Sequence, residues 1–233
     1  MTTEKGLIQR LLGKISLSIV VLIILFIVCL AGLYVLVDMV FEDNNYSFDY
    51  AVFNAIEPYY NSTNTAIMEF ITFFGSHKFL LPANLLLIGL AFFLGKTHWA
   101  AIKIASIAIS STIVLFSLKE ILKRERPPVP LLAKAHGYSF PSGHTFTSLS
   151  FFGMLIYIVY KNVKSPWLKW SLIVFMSLLT LSVGFSRIYL KLHYASDVVA
   201  GICLGVIWLL LAKWILYKAE KSKKLAEPVK STQ

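Results

Sequence analysis

From Ile15 to Val37 the chain carries no charged side chain. A helix needs about 20 apolar residues to cross the roughly 30 Å hydrocarbon core of a bilayer, and this run is long enough. In that core no water is present to satisfy backbone N–H and C=O groups, so a single span of this kind must be helical. Five further apolar runs follow: Phe79–Leu94, Trp99–Leu118 with Lys103 near its start able to snorkel to the interface, Thr145–Tyr160, Trp170–Phe185 and Val198–Tyr217. Composition points the same way. The 233 residues are 57% hydrophobic and 15% charged, with mean hydropathy +0.71, whereas soluble domains are about a quarter charged. The expectation is an all-α, polytopic membrane protein with six transmembrane helices, forming one domain over 1–233. A signal peptide is the competing reading of the first run. That run is too long for an h-region and lacks a small-residue cleavage site, so it reads as a retained span.

Residues 38–78 differ from the rest. Asp38, Glu42, Asp43, Asp49, Glu57 and Glu69 face a single base, Lys78, and Tyr46, Phe48, Tyr50, Phe53, Tyr59 and Tyr60 are interspersed. Aromatic, amphipathic sequence belongs at the headgroup level. Short surface helices are therefore expected between the first two spans, the later one from about Asn64 to Phe74. Asn61-Ser62-Thr63 is a glycosylation sequon, a weak three-residue pattern. Cys29 and Cys203 lie within apolar runs and read as packing residues.

The formal charge of +10 does not point to nucleic acid here. The basic tails 1–14 and 218–233, the turn 95–98 and the loop 161–169 fall on one side of a six-span chain, so that side is cytoplasmic. One outer segment breaks the pattern: Lys119, Lys123, Arg124, Arg126 and Lys134 lie within 119–144. Positive charge on the wrong side suggests anion binding. Lys119 and Arg126 are seven apart, which puts them on one helical face at the end of the third span. Pro127 and Pro128 then stop the helix. Phe140-Pro141-Ser142-Gly143-His144 precedes the fourth span, with Ser142 as an N-cap type. A helix N-terminus offers free N–H groups and a positive dipole end to an anion.

Ser186 to Asp197 reads S-R-I-Y-L-K-L-H-Y-A-S-D. Ionisable residues near membrane depth are costly and usually functional. His193 and Asp197 share one face at helical spacing, and Gly201 and Gly205 continue the row, which would let another helix approach closely. Asp197 can then hold one ring nitrogen of His193, the orienter-plus-histidine half of a nucleophilic site. Three span ends would bring together Lys119, Arg126 and Arg187 as cations, Ser142 and Gly143 as donors, and His144 and His193 with one carboxylate. A phosphate monoester carries about −1.5 to −2 charge, which three cations and a helix end match without a metal.

The three stretches resemble the signatures of the type 2 phosphatidic acid phosphatase superfamily, the lipid phosphate phosphatases of bacterial membrane type: K-x6-R-P from Lys119 to Pro127, P-S-G-H from Pro141 to His144, and S-R-x5-H-x3-D from Ser186 to Asp197. Every signature position matches, and the signature-bearing core covers about 79–212. The resemblance implies a six-helix bundle shared with soluble vanadium haloperoxidases, and a phosphatase that acts through a phosphohistidine and needs no cofactor. It implies His193 as nucleophile, Asp197 as its orienting partner and His144 as general acid. Lys119, Arg126, Ser142, Gly143 and Arg187 would bind phosphate. The residues alone leave open which histidine attacks.

The expected substrate is a membrane lipid phosphate or diphosphate. Undecaprenyl diphosphate, phosphatidylglycerophosphate, phosphatidate and a lipid A phosphate all remain open. The bilayer is the expected partner, with no nucleic acid and no obligate protein. The expected location is the bacterial inner membrane, with both termini cytoplasmic and the active site outside. The alternatives are a non-catalytic phospholipid-headgroup binding or transport protein on the same fold, and a haloperoxidase, against which the six apolar spans argue. Outside the signatures, Glu120, Lys123, Arg124 and Glu125 read as a solvated helix face, with Lys123 or Arg124 able to reach a second phosphate. His77 and His98 read as interfacial, Lys134 and His136 as part of a loop that shapes entry, and Lys191 as facing headgroups.

Overall fold

A computed structural model describes residues 17–95, 98–132 and 136–226. All regular structure among them is helical. Helix α1 (Leu17–Val37) runs into a short π-turn, Asp38–Glu42. Helix α2 (Ser47–Ile56), a 3-10 turn (Glu57–Tyr59) and α3 (Ser62–Phe73) follow. The remaining helices are α4 (His77–Phe93), α5 (Trp99–Leu122), α6 (Gly143–Asn162), α7 (Pro166–Tyr189) and α8 (Ala195–Ala226). The tail 1–14, the middle of the turn 95–98, Lys134 and the end of the C-terminal tail lie outside the described residues.

Five helical stretches are long and apolar enough to cross a membrane: Leu17–Glu42, Ser62–Phe93, Trp99–Leu122, Pro166–Tyr189 and Ala195–Ser222. The expected fourth span, α6, is not among them. Its first turns carry Thr145, Thr147, Ser148 and Ser150, which lower its hydropathy. Their hydroxyls donate to carbonyls three or four residues back, except that Thr145 donates to Ser142 Oγ. A helix can carry such residues when its neighbours enclose it. Thr145, Phe146, Ser148, Ser150, Phe151, Phe152 and Met154 are all buried, and α6 packs against α5, α7 and α8.

The outer helices show the opposite pattern. Ile27 on α1, Leu86 and Phe93 on α4, Ile113 on α5 and Phe175 on α7 point outward. In water such a surface would be an aggregation liability, whereas in lipid it is the expected exterior.

The glycine row of α8 faces protein, as its spacing predicts. A Cβ on Gly201 would come within 3.0 Å of the Ser142 carbonyl oxygen, and one on Gly205 within 2.6 Å of Leu149 Cδ2. These contacts bring the start of α8 against the start of α6, so that two of the three signatures meet.

The segment between α1 and α4 forms short helices, as expected, but α3 belongs to the apolar stretch Ser62–Phe93 that is long enough to cross a membrane. Asn61 caps α3, its side chain accepting from Asn64 N at 2.8 Å. Helix α2 is anchored more deeply. Phe53 and Ile56 pack with Ile188, Tyr189, Leu190, Leu192 and Tyr194, so the turn carrying His193 rests on α2. Tyr189 ties the same region to the following loop through its hydroxyl, which donates to Tyr59 O at 2.9 Å.

Candidate active site

Helix α5 ends earlier than its prolines require. It stops at Leu122, and Lys123 takes a left-handed conformation (φ 47°) with its N–H bonded to Lys119 O. Arg126 is therefore off the helix, and the expected shared helical face with Lys119 does not exist. The two cations meet by another route. Lys119 Nζ donates to Tyr138 O at 2.6 Å. The Arg126 guanidinium donates to Gly137 O at 2.9 Å and Tyr138 O at 3.3 Å. The loop 136–139 thus gathers both cations onto one set of carbonyls.

The early helix end has a cause that lies in Arg124. This residue was expected on a solvated face, yet it is only 4% exposed. Leaving the helix at Lys123 turns it inward, where it donates to Asp197 Oδ1 at 2.6 Å and Asp49 Oδ2 at 2.7 Å. Its guanidinium also stacks over Tyr194, 4.1 Å from the ring centroid.

His193 lies on the turn between α7 and α8, two residues before α8 begins, and not on the helix itself. The i+4 pairing still forms, because Asp197 sits in the first turn of α8 and reaches back. Its Oδ2 accepts from Tyr194 N at 2.8 Å and lies 3.4 Å from His193 Nδ1. Ser139 Oγ donates to the same oxygen and lies 3.3 Å from Nδ1. At these lengths the imidazole is held loosely from that side. On the other side, Arg126 Nη1 lies 3.1 Å from His193 Nε2. A guanidinium can only donate, so Nε2 presents its lone pair and Nδ1 carries the proton. Burial first, then the charges of Arg187, Arg126 and Lys119, hold the His193 imidazole well below the ordinary histidine range, so the ring is neutral near pH 7.

Ser142 begins α6 as its N-cap residue but does not cap with its side chain, which accepts from Thr145 Oγ1 at 2.9 Å. Its backbone N–H donates to Asp197 O at 2.9 Å, which ties the second signature to the third. Gly143 packs against α5. A Cβ there would stand 3.2 Å from Leu115 Cδ2 and 3.7 Å from Lys119 Cε, so the glycine sets the distance between helix start and cation. Arg187, in the last turn of α7, donates to Thr72 Oγ1 at 2.9 Å, while its Nε is buried with no partner among the described residues. His144 lies within electrostatic reach of Arg187, His193, Arg126 and His77. All eight signature side chains and glycines therefore converge on one place.

Three contributors were not expected from sequence. Asp49 is fully buried behind Asp197, Ser139 touches both Asp197 and His193, and Thr72 on α3 holds Arg187. Lys191 is partly exposed on the same turn as His193. It adopts φ 51° and lays its ammonium over Tyr60, 5.0 Å from the ring centroid.

A family model described as the PAP2 superfamily matches residues 99–221. The chain belongs to the PAP2 superfamily. The crystal structure of a transmembrane PAP2-type phosphatidylglycerolphosphate phosphatase from Bacillus subtilis superposes with a TM-score of 0.74 at 26% identity, covering 83% of this chain and 96% of that one. Phosphatidylglycerophosphatase B of B. subtilis is 29% identical over 150 residues, 63% of this chain and 72% of that protein. The undecaprenyl-diphosphatase BcrC of the same organism is 29% identical over 168 residues, 68% of this chain and 79% of that protein. Asp49 and Thr72 both precede the region that the PAP2 model matches.

Proposed function

We propose that this PAP2 protein is a metal-independent phosphatase of membrane lipid phosphates or diphosphates, working through a phosphohistidine on His193. The coarse activity follows from family membership and from relatives that are lipid phosphatases. The observation that carries the mechanism is the setting of His193, with Arg126 at Nε2 and Ser139 and Asp197 at Nδ1, which favours one tautomer. Its Nε2 lone pair faces the cation cluster while Nδ1–H faces Asp197 and Ser139.

In this reading Lys119, Arg126, Arg187, the Ser142 hydroxyl and the Gly143 N–H hold the phosphoryl oxygens, the Ser142 N–H being taken by Asp197 O. The free Nε of Arg187 supplies a further donor. Phosphate takes the place of the loop carbonyls that Lys119 and Arg126 now hold. The phosphate's negative charge, bound beside His144, lets that imidazole take up a proton. Nε2 of His193 attacks phosphorus in line, the bond to the leaving oxygen breaks, and His144 gives its proton to that oxygen. The imidazolium that results is stabilised by Asp197. Water then attacks the phosphohistidine, His144 takes its proton, and inorganic phosphate leaves. Fixed cations aimed at the developing charge supply much of the acceleration.

Six crossings, with α6 as the enclosed one, give this site an outer position and both termini a cytoplasmic one, because the basic segments lie on the opposite side. In a background without the two native cysteines, Asp43→Cys should react with an impermeant reagent on intact cells and Ser222→Cys only after lysis. Both side chains are exposed. Reversed labelling would overturn the orientation.

The substrate class is tested by phosphate release from undecaprenyl diphosphate, phosphatidylglycerophosphate, phosphatidate and a lipid A phosphate, beside a short soluble phosphate ester. Specificity constants should favour at least one lipid by well over tenfold, about 1.4 kcal/mol. Equal efficiency on the soluble ester would leave a general phosphatase, and no release from any of them a binding protein.

Three protein cations already balance the phosphate, and no group of three His, Cys, Asp or Glu among the described residues could hold a metal. Activity should therefore survive excess chelator, with vanadate competing against substrate. Loss to chelator with recovery on Mg²⁺ would contradict this.

The pH profile follows from the state of His193. The nucleophile works unprotonated, and its pKa lies well below the ordinary value of about 6.5. As pH falls through that value His193 stays unprotonated, so the acid limb of kcat/KM, which reports free-enzyme groups, should lie well below it. The substrate's own phosphate titrates near about 6 and must be allowed for. A corrected acid limb centred at or above the ordinary histidine value would contradict the assignment.

A further inference from the structure

The carboxylate that orients His193 is itself held by a buried chain of charges reaching out to a surface helix. Asp197 Oδ1 accepts from Arg124 Nη1 at 2.6 Å. Arg124 Nη1 also donates to Ser196 Oγ at 2.7 Å, and Nη2 donates to Asp49 Oδ2 at 2.7 Å. Asp49 in turn accepts from Ser196 N and Ser196 Oγ, each at 2.8 Å. Arg124, Asp49, Ser196 and Asp197 are all buried, so neither salt nor water screens the pairs. The planar guanidinium spans both carboxylates at once, a geometry that a lysine ammonium does not reproduce.

We propose that Arg124 and Asp49 are positioning residues for catalysis, fixing the Asp197 carboxylate so that its Oδ2 faces His193 Nδ1. Neither touches the phosphate or the reacting nitrogen. Arg124 fixes Oδ1, which leaves Oδ2 to Tyr194 N, Ser139 Oγ and the imidazole. Asp49 neutralises the second half of the guanidinium, and the Ser196 hydroxyl bridges the two. Helix α2, outside the span matched by the PAP2 model, thereby becomes part of the catalytic apparatus. The contact between His193 and Asp197 is long at 3.4 Å, so a small rotation of the carboxylate would lose it. That makes the rate sensitive to whatever fixes the carboxylate.

The inference rests on the phosphohistidine reading, and the test separates the two. Arg124→Lys and Asp49→Asn are made in the full chain and again in an Asp197→Asn background, with kcat and KM measured on the best lipid phosphate. Arg124→Lys keeps the buried charge, and Asp49→Asn keeps an acceptor for Ser196 N, so at least one of them should be recovered folded. In the wild-type background each should lower kcat by about 10- to 100-fold, the size that loss of an outer partner of a site ligand has elsewhere, with KM changed less than about threefold. In the Asp197→Asn background the same changes should cost less than about threefold, because the element they position is already gone. Wild-type kcat, a loss confined to KM, or losses that multiply in full across the two backgrounds would overturn the proposal. An inactive wild-type protein would instead sink the phosphatase reading.

Discussion

Replacing His193 by alanine is expected to abolish lipid phosphate turnover while leaving the folded protein intact. The imidazole is buried, but its ring is held on the Nδ1 side only at 3.3–3.4 Å, so its loss breaks no strong bond that the fold depends on. What disappears is the one nitrogen with a lone pair aimed into a cluster of three cations. Binding by Lys119, Arg126 and Arg187 survives, so substrate or vanadate should still bind. His144→Ala should be nearly as severe, because the leaving oxygen then departs without a proton. Asp197→Asn should cost on the order of 10²–10⁴ in rate, the range seen when an orienting carboxylate is lost and the tautomer is no longer fixed. Steady-state phosphate release on the purified variants, each checked for thermal unfolding, measures all three. Near-wild-type turnover in His193→Ala would remove the covalent mechanism.

The second large effect is on stability and centres on Arg124. Arg124→Met would leave Asp49 and Asp197 buried with no positive partner between them. Breaking a buried ion pair from one side costs about 3–5 kcal/mol, because the remaining charge has lost water and gained nothing. Asp49→Asn should cost less, since Arg124 keeps Asp197 and the amide still accepts from Ser196 N. The double variant with Arg124→Met and Asp49→Asn should recover part of the loss, because only one uncompensated carboxylate then remains. Unfolding in detergent, followed by heat or denaturant, gives the order. Asp49→Asn costing more than Arg124→Met, or a strictly additive double variant, would show that the triad does not act as a unit.

The spans and the site were legible for different reasons. Apolar runs separated by charges announce membrane helices locally, and five stretches qualify by length and hydropathy. The exception, α6, shows what composition misses. A helix enclosed by others can carry Thr145, Ser148 and Ser150 because neighbours, not lipid, surround it. The signatures placed Lys119, Arg126, Ser142, Gly143, His144, Arg187, His193 and Asp197, and the fold brings all of them together.

Other residues escaped because their partners are distant in sequence. Arg124 and Asp49 are 75 positions apart, and nothing within either neighbourhood names the other. Asp49 did leave one trace. It shares an i, i+4, i+7 row with Phe53 and Ile56, and all three are the buried residues of α2. An acid on the apolar face of an amphipathic helix is a request for a buried cation. Arg126 was misplaced on the α5 helix for a related reason, since the helix end is set by where Arg124 must go and not by the prolines alone. Ser139 carries no comparable signal.

The central claim, that His193 carries the phosphoryl group, is tested most directly by trapping the intermediate. A lipid phosphate labelled with ³²P in its terminal phosphate is mixed with enzyme, quenched in alkali within the first turnover, and the protein digested and mapped. The account predicts an acid-labile, alkali-stable label on the peptide containing His193, absent in His193→Ala. Label on another residue, or phosphate released in the first turnover with no labelled protein at any time, would contradict it.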